Sequence, residues 1–62
     1  MPNDFAPAFR KRAAHYRKLA VEAREAAEQA TDPTSRGSFI RLAEGWEDLA
    51  RYCEQLAADR RS

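Results

Sequence analysis

The chain has 62 residues, of which 11 are basic and 10 acidic, so its formal net charge is +1. Overall charge therefore gives no argument for binding to nucleic acid or to a membrane surface. One cysteine excludes an intrachain disulfide, and the single histidine makes a structural zinc site unexpected. So short a chain forms one domain, residues 1–62, whose core supplies only about 3–5 kcal/mol by itself. Oligomerisation is the remaining common way to stabilise it.

The cellular location is predicted from the lack of a membrane-spanning run, the lack of a secretory signal and the unpaired cysteine. No apolar run is long enough to cross a bilayer, and the first residues lack the basic and then apolar order of a secretory signal. The unpaired Cys53 agrees with a reducing compartment. The sequence therefore predicts a cytoplasmic protein without a membrane span.

The first predicted helix covers about residues 5–30. Its interior contains no glycine, and alanine, arginine, glutamate, lysine and leucine, all good helix formers, dominate it. Its apolar residues alternate steps of four and three, a seven-residue repeat that lies on one helical face. These positions are Phe9, Ala13, Tyr16, Ala20, Ala23, Ala27 and Ala30.

The turn is predicted at Thr31-Asp32-Pro33. Pro33 disfavours helical geometry at Asp32 and so ends the first helix. An aspartate N-cap followed by proline at the first helical position also favours the start of a new helix. A connection this short makes the two helices antiparallel neighbours.

The second predicted helix covers about residues 33–59 and carries a wide apolar stripe. Folding the chain back at the turn places Trp46 opposite Ala20 and Tyr16 opposite Ala50, so that large side chains meet small ones. The fold class is all-α, an antiparallel two-helix hairpin. Its predicted core consists of Phe9, Tyr16, Ala20, Ala23, Ala27, Phe39, Leu42, Trp46, Leu49, Cys53 and Leu56.

The second helix is more apolar than a single partner helix requires. Contiguous apolar surface of this kind marks a contact site. The candidate partner interface consists of Ile40, Gly45, Leu49, Tyr52 and Leu56. We expect two hairpins to cover these residues by forming a four-helix bundle as a homodimer.

A local excess of positive charge lies near the start of the first helix, where no acidic residue occurs between Asp4 and Glu22. A run of this kind can neutralise phosphates, but it is also typical of a solvated helix surface. The hairpin would in addition bring Asp48, Glu54 and Asp59 towards this end. The candidate anion-binding residues are Arg10, Lys11, Arg12, Arg17 and Lys18.

Catalytic and metal-binding patterns are missing from the sequence. His15 has no carboxylate or cysteine beside it at helical spacing, and Cys53 falls in the apolar stripe as a small core residue. Glu44, Glu47 and Asp48 lack the histidine of bundle metal sites, and Glu47 is spaced to pair with Arg51. We therefore expect no enzyme activity, no metal and no cofactor.

The residues Asp32-Pro33, Arg36, Phe39, Leu42-Ala43, Trp46 and Leu49-Ala50 follow the pattern DPxxRxxFxxLAxxWxxLA. In this the chain resembles a group of short helical-hairpin proteins frequent in alphaproteobacteria, over about residues 13–57. The resemblance implies the hairpin fold and implies no function. The expected function is a self-associating interaction or adaptor module. The alternatives are a nucleic-acid or anionic-surface binder, and a helical subunit that completes a bundle with another protein.

Overall fold

The computed structural model describes residues 6–59, and side chains within 7–58. Two α-helices make up this part of the chain, α1 (Ala6–Gln29) and α2 (Pro33–Asp59), and no strand occurs in it. Arg17 pairs with Glu54 and Arg24 pairs with Glu47, so the helices run antiparallel. The all-helical hairpin is therefore confirmed, while the predicted start of the first helix at residue 5 lies outside the described residues.

The turn is held by Asp32, as its sequence position predicts. The Ser35 backbone N–H donates to Asp32 Oδ2 at 2.9 Å, and the Arg36 N–H donates to the Asp32 carbonyl at 3.1 Å. Asp32 is thus the N-cap of α2, with Pro33 at the first helical position. Its hydrogen bond with Ser35 also holds the pKa of the Asp32 carboxyl below the usual value.

Arg36 connects the two helices at the turn in a way that the sequence pattern does not reveal. Its Nη2 donates to the Ala30 carbonyl at 3.1 Å, just beyond the last residue of α1. This carbonyl is among those that lack an intrahelical partner at a helix end. Asp32 and Arg36 therefore cap α2 and α1 respectively, which fixes the antiparallel arrangement at its closed end.

The core between the helices consists of small side chains. Ala43 and Ala50 are fully buried, and no large side chain is fully buried among the described residues. Phe9 and Tyr16 pack against a cluster of Ala13, Ala50 and Cys53. Within residues 7–58 the buried apolar residues are Ala13, Ala20, Ala23, Ala27, Ala43, Ala50, Cys53 and Ala57. Small contact residues let the helix axes approach to the short end of the usual range, about 8 Å.

The predicted core was wrong at three positions of α2. Phe39, Leu42 and Leu49 are 36%, 48% and 42% exposed. At Leu42 and Leu49 the reason is that the neighbouring alanines, Ala43 and Ala50, are the side chains buried between the helices. Of the other predicted core residues, Ala20, Ala23, Ala27 and Cys53 are buried, and Phe9, Tyr16, Trp46 and Leu56 are half-buried.

Trp46 packs on an aromatic side chain of α1. Its ring stacks on that of Tyr16, with 5.7 Å between centroids and 14° between planes. Offset stacking of this kind contributes beyond the area that it buries, by about 0.5–1.5 kcal/mol. The stacking partner was not predicted from the sequence, and the placement of Trp46 opposite Ala20 stays a prediction.

Candidate interaction surface

Both helices follow a heptad repeat, and the repeat separates the surface of the hairpin into distinct edges. On α2 the residues that face α1 are Ala43, Trp46, Ala50, Cys53 and Ala57, in steps of three and four. A second set with the same spacing is displaced by one residue, which is about 100° around the helix. We call this second set the leucine edge: Leu42, Gly45, Leu49, Tyr52 and Leu56.

The opposite long edge of the hairpin carries ion pairs between the helices. We call it the charged edge, and it consists of Arg17, Arg24, Glu47 and Glu54. Arg17 donates from Nε and Nη2 to both oxygens of Glu54 at 3.3 and 2.9 Å. Arg24 donates in the same way to Glu47 at 2.8 and 2.9 Å. Both contacts are bidentate, the arrangement in which arginine binds a carboxylate most strongly.

These ion pairs change the proton affinities of their members. The hydrogen bond from Arg24 holds the pKa of Glu47 below its ordinary value, and the hydrogen bond from Arg17 does the same for Glu54. The pKa values of both arginines are raised for the same reason. The charged edge therefore satisfies its own polar groups without any further protein.

The predicted ion pair between Glu47 and Arg51 is not the one that forms. Glu47 pairs with Arg24 across the hairpin and not with Arg51, because the antiparallel fold brings an α1 arginine to it. Arg51 instead pairs with Asp48, three residues before it, on the exposed side of α2. The neighbouring Glu44 is exposed.

The leucine edge lies largely open to water. Leu42 and Leu49 are nearly half exposed, and Tyr52 is 59% exposed. Leu56 is half-buried and Gly45 is exposed. A groove of about 260 Å³ crosses the middle of this edge and is lined by Arg41, Leu42, Gly45, Trp46 and Leu49.

Ile40 does not belong to this surface, although it was grouped with the candidate interface. It lines a separate hollow near the turn, together with Arg24, Ala27, Glu28 and Arg36. Ile40 precedes Glu47 by one heptad, so it lies on the side of α2 that carries the charged edge. Leu42 takes its place in the open apolar set.

The candidate anion-binding residues are all exposed, but they are not equivalent. Arg17 is committed to Glu54 in the charged edge. Arg10, Lys11, Arg12 and Lys18 have no carboxylate within ion-pair distance among the side chains of residues 7–58. These four remain candidates for contact with an anion.

The other residues that the sequence singles out show no arrangement typical of a catalytic or metal site. His15 is exposed and lies beside Tyr16, with 6.1 Å between ring centroids, and Cys53 is buried in the core cluster. In the described part of the chain no three His, Cys, Asp or Glu side chains gather as a metal would require. Neither helix there is both long and apolar enough to span a bilayer.

The fold and this surface define a class, the two-helix hairpin with one charged and one apolar edge. Comparison of the chain with protein-family models, with curated proteins and with solved structures finds no match in any of the three.

Proposed function

We propose that this chain is a self-associating helical module, in which the leucine edges of two hairpins form the centre of a four-helix bundle. The observation that carries the proposal is the exposure of Leu42, Leu49 and Tyr52 along one edge while only small side chains are buried between the helices. Large apolar side chains are the ones whose removal from water contributes most to stability, at roughly 1.5–3 kcal/mol each.

The position of the leucine edge supports a bundle. A helix in a four-helix bundle contacts two neighbouring helices, which lie at about a right angle to each other as seen down its axis. The two heptad sets of α2 are separated by about 100°. One of these sets contacts α1, so the other points to where the second neighbour would lie.

The exposed area supports an assembly of at least two hairpins. The chain is a rod with extents of 51 × 13 × 9 Å, and its radius of gyration of 14.5 Å exceeds the about 10.6 Å of a compact 62-residue domain. The solvent-accessible surface area of one hairpin is 4780 Å², so two separate hairpins expose twice that area. One compact protein of their combined mass would expose only about 6,800 Å². A dimer of ordinary compactness would bury about 2,800 Å², which is typical of obligate homodimers.

Sedimentation of the unmodified chain tests this proposal. We expect a species of about twice the 7.1 kDa chain mass at micromolar concentration. Leu49→Glu places a charge at the centre of the leucine edge and should abolish association. Ala58→Glu makes the same charge change at another exposed position of α2, away from the leucine edge and from the flank with Arg41 and Asp48, and should leave association intact.

Three outcomes would separate the proposal from its alternatives. A folded 7.1 kDa monomer at micromolar concentration would contradict self-association. If that monomer bound helices of another protein through Leu49, the chain would be a subunit of a mixed bundle. Equal association of the Leu49→Glu and Ala58→Glu variants would show that the chain self-associates through another surface.

Binding to an anionic surface is a second candidate function, and it is favoured by the four exposed cations near the start of α1 that lack carboxylate neighbours among the side chains of residues 7–58. Retardation of a polyanion such as single-stranded RNA should then weaken as salt rises. Lys18→Gln should weaken it, whereas Arg51→Gln, which also removes one exposed positive charge but from α2, is the matched control. Absence of retardation at low salt would exclude this function.

A further inference from the structure

The groove on the leucine edge has the shape of a receptor for one apolar side chain. Four of its lining residues, Leu42, Gly45, Trp46 and Leu49, have the spacing i, i+3, i+4 and i+7. This is the set of four residues that surrounds an inserted side chain where two helices pack with knobs in holes. Leucines lie at both ends of this set and glycine at its centre, so the edge offers protrusions and a recess together.

Gly45 has no explanation within the single chain. A Cβ atom built there meets nothing within 4 Å, so the fold of one hairpin does not require glycine. Glycine is also the least favourable residue in a helix after proline. Its missing side chain permits the backbone of another helix to approach closely.

Charges beside the leucine edge indicate how a second copy would be oriented. Arg41 lies four residues before Gly45 and Asp48 three residues after it, both on the outer flank of the edge. If the α2 helix of a second copy crosses at Gly45 in antiparallel orientation, Arg41 of each copy lies near Asp48 of the other. Two equivalent ion pairs can then form. In a parallel pair about a two-fold axis, the flank with Arg41 and Asp48 would lie on opposite sides of the contact in the two copies, so no such ion pairs could form.

Asp48 can take part in this contact because its ion pair with Arg51 lies at the solvent-exposed surface. It pairs with Arg51 within the chain, and both side chains are more than 60% exposed. Exposed pairs of this kind are weak and exchange readily with other partners. An intermolecular Arg41–Asp48 pair would therefore replace it at little cost.

We propose that two copies of this chain pack α2 against α2 in antiparallel orientation, about a two-fold axis that passes close to Gly45. The inference rests on the self-association proposed above and goes further, because it names the helix, the direction and the crossing point. A two-fold axis at this position places the two Gly45 backbones against each other, and it brings Leu42 of each copy beside Leu49 of the other.

Disulfide cross-linking tests the crossing point. At an interaxial distance of about 8–10 Å, with Cα atoms about 2.3 Å from each axis, facing Cα atoms at the crossing lie about 3–6 Å apart. Disulfides span about 4.4–6.8 Å between Cα atoms. In a Cys53→Ala background, Gly45→Cys should therefore form a covalent dimer under mild oxidation. Gly37→Cys is the matched control, because a Cβ there also meets open space but lies outside the edge.

A mixed experiment tests direction and does not alter Gly45. Chains carrying Arg41→Cys are mixed with chains carrying Asp48→Cys, again with Cys53→Ala. The antiparallel arrangement predicts that the mixed dimer forms several-fold faster than either homodimer. A mixed dimer that forms no faster than the homodimers would show that these flanks do not face each other and would overturn the proposal.

The outcomes separate this inference from the function on which it rests. If the parent chain sediments as a dimer but Gly45→Cys cross-links no faster than Gly37→Cys, the crossing point is wrong and self-association stands. If the parent chain is a folded monomer, both proposals fail. Fast cross-linking at Gly45 together with preference for the mixed Arg41–Asp48 pair supports both.

Discussion

The two long edges of the hairpin differ in what they need from outside the chain. On the charged edge, Arg17 and Arg24 bind carboxylates of α2 through two hydrogen bonds each, so the polar groups there are satisfied within the chain. On the leucine edge, Leu42 and Leu49 remain nearly half exposed. One edge is complete in a single copy, and the other is stabilised only when something covers it.

This difference follows from the small core. Because the helices contact each other through alanines, little apolar area is buried between them, and the larger apolar side chains are displaced to one side of the contact. Isolated ion pairs on the other side contribute little to stability at a solvated surface. A covered leucine edge would therefore supply more of the stability of this chain than either feature of the single hairpin.

The largest expected effect is at Trp46, which packs against α1 and also borders the leucine edge. Its ring stacks on Tyr16 of α1 and also lines the groove of the leucine edge. Trp46→Ala should lower the free energy of unfolding by about 3 kcal/mol, the lower end of the usual cost because the ring is only half-buried. Urea unfolding at fixed protein concentration measures this, since dissociation and unfolding are coupled.

Trp46→Phe is the control for this substitution, because it keeps an aromatic ring against Tyr16. It should recover much of the lost stability and part of the self-association. An unfolding curve unchanged by Trp46→Ala would contradict the hairpin geometry itself. A loss of stability without any change in association would show that Trp46 serves only the contact with α1.

Much of the fold follows directly from the sequence. Asp32-Pro33 predicts both the end of α1 and the start of α2, and the observed bonds from Ser35 and Arg36 to Asp32 confirm that placement. The heptad of α1 also predicts its buried face, at Ala13, Ala20, Ala23 and Ala27 among others. Local rules suffice here because capping and periodicity act within a few residues.

The face of α2 could not be predicted as well, because its apolar stripe contains two overlapping heptad sets. Choosing the largest side chains as the core selects Leu42 and Leu49, whereas the buried positions are Ala43 and Ala50. The available signal was the spacing of Ala43, Ala50 and Ala57 by seven residues. The role of Arg36 at the end of α1 depends on the folded turn, so no local pattern predicts it.

The two glycines of α2 give a smaller and more specific test of the leucine edge. An added Cβ meets nothing within 4 Å at either Gly37 or Gly45, so each glycine-to-alanine change should stabilise the helix by up to about 1 kcal/mol. Gly37→Ala should show this gain at every protein concentration. Gly45→Ala should show a smaller gain in stability at concentrations where the chain self-associates, because the new methyl group fills the recess between the two copies.

Melting curves recorded over a range of concentrations, together with sedimentation, separate the two glycine variants. Association should weaken for Gly45→Ala and stay unchanged for Gly37→Ala. If the two substitutions raise the melting temperature equally at high concentration, no helix approaches closely at Gly45. The leucine edge would then be covered in some other way.

The smallest expected effect concerns the charged edge and acid. Glu47 and Glu54 have folded-state pKa values below their ordinary value because each accepts hydrogen bonds from an arginine. Their contribution to stability is therefore fully present above the usual glutamate pKa of about 4.3, and it is lost as the pH falls through the lowered folded values. Glu54→Gln should slightly destabilise the chain at neutral pH and reduce its sensitivity to acid.

Glu25→Gln is the matched control for Glu54→Gln, because Glu25 is exposed on α1 and makes no ion pair within the described residues. It should change neither the neutral stability nor the acid response, as followed by circular dichroism. Both variants should associate like the parent chain, since neither residue lies on the leucine edge. If Glu54→Gln prevented association while Leu49→Glu did not, the roles of the two edges would be reversed, and the charged edge would be the interface.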